Sequence, residues 1–204
     1  MLPALLLFAA CTGAPEPPDP NSYPWSISVS GDGSMTAFGL TPRKSTFQDA
    51  RDRFGDRLEV AMFEADGERA LEIFYGKANL NGLQGRLILT LDAPADLLGQ
   101  IAATATSKPS GAGAIRYALP EDLTDPLPAL AIKAMLFAPA AGLSEETIVA
   151  RFGPPEQRET SEDGTLLLYP SRGVHITVPD GGRELIQFVH PEDFAWLKAH
   201  SQPH

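Results

Sequence analysis

Four histidines, one cysteine and a handful of glycine-bearing turns are the residues of this 204-residue chain whose types could support chemistry. The histidines are His175, His190, His200 and His204. A zinc site needs ligands at short, fixed spacing on elements that aim them at one point. Only His200 and His204 stand four apart, and Pro203 interrupts the helix that would place them on one face. His175 falls on the polar side of the alternating run Val174-His-Ile-Thr-Val178 and reads as a solvated sheet residue, not a general base. Ser110-Gly-Ala-Gly113 lacks the G-x-S-x-G pattern of a nucleophile elbow. Gly31-Asp-Gly-Ser34 lacks the strand and helix that aim backbone N–H groups at a phosphate. Asp66, Asn81, Asp163 and Asp180 each precede a glycine, but no D-x-D-x-D-G calcium loop is present, so they read as hairpin turns. No catalytic residue, metal site or cofactor follows, and the chain is expected to be non-enzymatic.

Charge narrows the partners. Sixteen Lys and Arg against 26 Asp and Glu give a formal charge of −10, with no basic run to neutralise phosphates, so no nucleic acid is expected. A single cysteine cannot form an internal disulfide, which moves attention to its position. Residues 1–10 are uncharged and almost wholly apolar, the pattern of a signal peptide, and Cys11 follows at once. The run Leu7-Phe8-Ala9-Ala10-Cys11 resembles a bacterial lipobox. That resemblance implies lipidation of Cys11, whose acyl chains would each contribute about 0.8 kcal/mol per buried methylene to membrane attachment. Residues 11–24 carry Pro15, Pro17, Pro18, Pro20 and Pro24, a density that blocks helix and makes a semi-rigid spacer. Thr12 after the cysteine resembles the outer-membrane sorting pattern, which implies the periplasmic face of that membrane.

Beyond the spacer the chain reads as a duplication. Arg53-Phe54-Gly55 recurs as Arg151-Phe152-Gly153, Asp66-Gly67 as Asp163-Gly164, and Gly85-Arg86 as Gly182-Arg183, at offsets of 97 or 98. Each half predicts a strand (35–40 and 131–137) and then a short helix (46–54 and 144–152). Antiparallel strands follow at 58–64, 70–75 and 86–92, and at 157–160, 165–169, 174–178 and 184–189. A further helix is expected over 93–106 and a closing one over 191–199. The expected fold is α+β, two tandem units, each a short helix packed on an antiparallel β-meander sheet. The first unit spans 25–106, a linker 107–128, and the second unit with its C-terminal helix 129–204.

The sharpest local pattern is Gly142-Leu-Ser-Glu-Glu-Thr-Ile-Val-Ala-Arg-Phe-Gly-Pro-Pro155. Ser144 is a helix N-cap, Leu143 and Ile148 occupy the two staple positions, Gly153 ends the helix and the prolines forbid its continuation. These residues, with the aromatic-bearing strand Leu166-Leu-Leu-Tyr169, resemble the SmpA/OmlA family of outer-membrane assembly lipoproteins over about residues 139–190. The first half carries an echo in which Lys44 replaces the glycine and Asp56-Arg57 the proline pair. The resemblance implies a lipid-anchored periplasmic protein that binds another envelope protein as an accessory to β-barrel assembly. The alternative is a secreted inhibitor-like or ligand-binding module, since the same unit occurs in secreted β-lactamase inhibitors; it would bind at a groove between the two sheets. Trp25 and Trp196 are expected to pack on the body, and Arg151 and Arg172 to stand on the solvated surface, with a partner contact or local carboxylates such as Glu145 as the other readings.

Overall fold

The computed structural model describes residues 23–200 except 126, 162 and 163. The expected signal peptide, Cys11, most of the proline-rich segment, Asp163 and His204 therefore lie outside the described residues. In chain order the elements are β1 (Ser28–Val29), β2 (Met35–Thr36), α1 (Phe47–Phe54), β3 (Glu59–Ala65), β4 (Glu68–Leu80), β5 (Leu83–Leu91), α2 (Ala95–Thr104), β6 (Ser107–Pro109) and β7 (Ile115–Ala118). Then come β8 (Ile132–Pro139), α3 (Glu145–Phe152), β9 (Gln157–Ser161), β10 (Gly164–Tyr169), β11 (Val174–Pro179), β12 (Leu185–Val189) and α4 (Phe194–His200).

The fold is a mixed one dominated by a large antiparallel sheet. Ten strands pair in the order β6-β7-β3-β4-β5-β8-β12-β11-β10-β9. Where two separate sheets were expected, the meander of the first half joins that of the second through β8, which pairs with β5 on one side and β12 on the other. The segment 107–128, expected as a linker, instead carries β6 and β7. Its Ile115–Ala118 strand pairs with Glu64–Ala61 of β3 and satisfies an edge that would otherwise expose its backbone N–H and C=O groups. Tight turns set the meander register: Asp66 and Asn81 both sit at positive φ (52° each), the conformation two-residue hairpin loops demand.

Two capped helices enter from matching positions. Thr46 accepts from the Asp49 amide, and the Asp49 carboxylate returns a bond to the Thr46 amide; Ser144 accepts from the Thr147 amide. Both helices end on a glycine in nearly the same conformation (Gly55 φ 79°, ψ −178°; Gly153 φ 85°, ψ 177°). The third sequence match breaks down, because Gly85 lies inside β5 while Gly182 lies in the turn between β11 and β12.

One face of the sheet carries the main core. Leu71, Ile73, Leu87, Leu89, Met135, Phe137, Ile186, Phe188, Val174, Ile176 and Leu167 point into it from the strands, and α1, α2 and α3 add Phe47, Ala50, Leu97, Ile101, Ile148 and Phe152. The segment 35–40 departs from its expected strand. Met35–Thr36 pairs with Val29–Ser28, and the chain then turns, Ala37 bridging to Leu40, so that Phe38 is fully buried against Phe137 and Phe188 (ring centroids 6.0 and 5.1 Å). That turn needs φ 57° at Phe38 and is held by the Arg53 guanidinium, which donates to the Phe38 carbonyl at 2.7 Å. A buried aromatic ring of this kind repays the backbone strain, since its burial contributes about 1.5–3 kcal/mol.

The opposite face is covered in part. α4 lies across it, with Leu197 against Ala134 and Val189 and with Trp196 packed alongside. The residues just before α4 are clamped from the other end of the chain: Arg43 donates to both Asp193 carboxylate oxygens (2.7 and 2.5 Å) and to Glu192 (2.6 Å). Among the described residues, nothing covers the rest of this face.

Candidate functional site

The open part of the second face forms a groove of about 860 Å³ beside α4. Strand register builds its floor. Glu72 of β4 pairs with Thr90 of β5, which pairs with Ala134 of β8. One row along, Ile88 pairs with Leu136, and Leu136 with Gln187. Phe63 and Ala70 extend the floor toward the Asp66 turn, and Trp196 with His200 forms the wall on the α4 side. The inhibitor-like alternative placed its site between two sheets; the continuous sheet has instead a groove on one face.

Charge in the groove is distributed unevenly. The Glu72 side chain is half-buried and makes no hydrogen bond or ion pair with a described residue. Burial pushes its carboxyl up to about 7, because the charged form loses hydration without gaining a partner. The positive groups are engaged elsewhere. Lys133 places its ammonium 4.1 Å from the Trp196 ring centroid, Arg69 is paired with Glu64 at 2.6 Å, and the His200 ring stacks on Trp196 at 4.8 Å. His200 Nε2 also lies 3.4 Å from Glu68 at the rim, where the side chains are 35% and 72% exposed, so solvent screens that pair.

His175 corrects the sequence reading outright. It is 1% exposed, not solvated, because α4 covers the polar side of β11. Neither ring nitrogen has a hydrogen-bond partner, and burial lowers its pKa to about 4. The Lys198–Glu159 ion pair (2.5 Å) and Gln187 surround it. His190 caps the turn before α4, its Nδ1 accepting from the Glu192 amide at 3.3 Å.

The other singled-out residues serve the scaffold. Asp32 of the Gly31–Ser34 turn accepts from Lys44 (2.5 Å), Ser30 (2.6 Å) and the Ser34 amide (3.1 Å), and the Lys44 ammonium is the first of these that hold its carboxyl far below the usual range. Gly111–Gly113 is a single 3-10 turn between β6 and β7. Trp25 packs edge-on against Phe152 (6.5 Å) with Arg151 over its ring (5.1 Å) and Tyr23 stacked on it (5.0 Å). Arg172 donates to the Phe152 carbonyl at 2.5 Å, and Glu145 pairs with Arg158. Among the described residues, no group of three His, Cys, Asp or Glu is placed to hold a metal, and no helix is long and apolar enough to cross a membrane.

Glu72, Thr90, Lys133 and Gln187 were not singled out by sequence. The usable signal was Glu72 itself, a lone carboxylate on a strand face whose neighbours two residues away, Ala70 and Phe74, are apolar. The chain matches no protein-family model, and no curated protein and no solved structure matches it.

Proposed function

We propose that this is a non-enzymatic, lipid-anchored periplasmic protein of the outer membrane, tethered at Cys11, whose open sheet face binds another envelope protein in support of outer-membrane assembly. One observation carries this reading. The spacer joins the body where Trp25 packs on Phe152, on the helix-covered side of the sheet, and the groove lies on the other side. A tether at that point leaves the groove unobstructed.

The likeness to SmpA/OmlA lipoproteins is part of the same proposal, with the unit present twice and fused into one sheet. Supporting it are the equivalent caps at Thr46 and Ser144, the equivalent exits at Gly55 and Gly153, and the ring pairs Phe54–Tyr75 (5.5 Å) and Phe152–Tyr169 (6.1 Å) that follow them. The test is a pull-down from detergent-solubilised envelope that compares the native chain with a secreted Cys11→Ala form. Recovery of outer-membrane assembly components with the native chain alone is the expected result. Equal recovery of one soluble partner by both forms would replace this reading with a secreted inhibitor-like module.

A further inference from the structure

We propose that the groove beside α4 binds a compact amphipathic primary amine, its ammonium paired with Glu72 and its apolar part lying on Phe63, Ala70, Ile88 and Leu136. The inference shares with the preceding reading only the open face as a binding surface; it depends on neither the anchor nor the partner.

Three observations select that chemistry. The first is size: about 860 Å³ falls in the range of small-molecule sites, and the floor is apolar apart from the Glu72–Thr90 pair and Gln187. The second is charge. Asp66, Glu72 and Asp92 line the groove without an ion pair to a described residue, while Arg69 and Lys133 are held by Glu64 and Trp196. An anion would meet uncompensated carboxylates, whereas a cation would supply the partner they lack. The third is that the groove already holds one ammonium on an aromatic face, Lys133 on Trp196, at a distance suited to cation–π attraction. A bare metal ion is disfavoured because a single carboxylate faces the floor and hard cations take six or more oxygen ligands.

The proton balance is explicit. Where Glu72 is protonated, the incoming alkylammonium displaces the carboxyl proton to solvent and leaves a carboxylate–ammonium pair; where Glu72 is already ionised, no proton moves. The titratable and charged groups that line the groove with Glu72 are Lys133 on β8, His200 on α4, Glu68 and Arg69 on its own strand, Asp66 in the turn before it and Asp92 at the end of β5.

The experiment is titration calorimetry on the full chain carrying Cys11→Ala, with n-octylamine, n-octanol and octanoate as probes, at pH 6 and pH 8. Amide chemical shifts locate the site. The expected result is saturable octylamine binding that shifts the amides of Ile88, Leu136 and Gln187, at least tenfold tighter than octanol or octanoate. At pH 6 the heat should depend on buffer ionisation, reporting the released proton. Glu72→Gln should weaken octylamine tenfold or more while unfolding no earlier than the parent. Equal binding of all three probes, unchanged affinity in Glu72→Gln, or shifts confined to another surface would each overturn the proposal. None of these outcomes bears on the envelope pull-down, so the two readings fail separately.

Discussion

The Tyr169 hydroxyl donates to the Gly153 carbonyl oxygen at 2.9 Å, tying the end of β10 to the residue on which α3 stops. Tyr169 is 1% exposed, and its ring leans on Phe152, so one side chain fixes both the helix exit and the aromatic packing beneath it. Burial raises the pKa of its hydroxyl, consistent with a phenol that stays protonated and donating. The first half stacks Tyr75 on Phe54 (5.5 Å), so each half packs an aromatic of the second strand after its helix against the helix's last residue.

Tyr169→Phe keeps the ring and removes the donor, leaving the Gly153 carbonyl short of one partner. The expected cost is about 1 kcal/mol, or roughly 2–4 °C in Tm for a chain of this size. Thermal unfolding followed by circular dichroism reads it, and an unchanged Tm would show that the bond adds nothing.

His175 should make the protein acid-sensitive. Its folded pKa of about 4 lies below the ordinary value of 6.5, so between those values the unfolded chain binds more protons. Stability is therefore complete above pH 6.5 and falls as pH drops toward 4, by up to about 3 kcal/mol. His175→Leu removes that slope while keeping the site apolar. Denaturant melts at pH 4.5 and pH 7.5 test this: the parent should lose stability on the acid side by more than the variant does.

Glu72 acts with the opposite sign. Its folded pKa of about 7 exceeds the ordinary 4.5, so the folded chain binds more protons in that window and stability declines as pH rises through it. The groove is open to solvent, which limits the effect to about 1–2 kcal/mol. Across pH 4.5–6.5 the two groups oppose each other, and the parent curve should be flatter than that of Glu72→Gln. Glu72→Gln should uncover the steeper histidine slope and gain stability at pH 8. A variant curve parallel to the parent's would show that Glu72 keeps an ordinary pKa.

The strands β3 to β5 and β8 to β12 and all four helices were legible because each has local causes: caps at Thr46 and Ser144, turns at Asp66 and Asn81, alternation in β5 and β11. What was not legible depends on which element covers which. Val174-His-Ile-Thr-Val178 displays a polar side whose natural reading is solvent, yet α4, twenty residues downstream, lies over it. The hint was in β10, where Leu166-Leu-Leu carries apolar residues on both faces, the pattern of a strand buried on each side. Similarly, the small and polar residues around 107–114 read as a linker because the strand they lead into is four residues long and its partner, β3, is fifty residues away. Beyond Glu72 itself the groove has no local signature, since Glu72, Lys133 and Gln187 are brought to one groove only through register across four strands.

Gly173 gives the sharpest test of the second meander. It follows the 3-10 turn at Pro170–Arg172 in the left-handed conformation (φ 64°, ψ 32°), which costs a residue with a Cβ roughly 1 kcal/mol on its own. Steric overlap costs more. A Cβ here would run into the Val189 carbonyl oxygen, with Pro191 just behind it. Backbone cannot yield locally, because the Val189 amide donates to the Gly173 carbonyl at 2.9 Å and fixes the two chains to each other. Gly173→Ala must therefore separate β11 from the end of β12, from which the turn into α4 starts, and the expected loss exceeds about 3 kcal/mol. Gly31→Ala, whose Cβ would meet nothing within 4 Å, serves as the control and should leave stability within about 0.5 kcal/mol. Chemical denaturation of the pair decides the matter: equal midpoints would mean that β11 and β12 are not held together at Gly173.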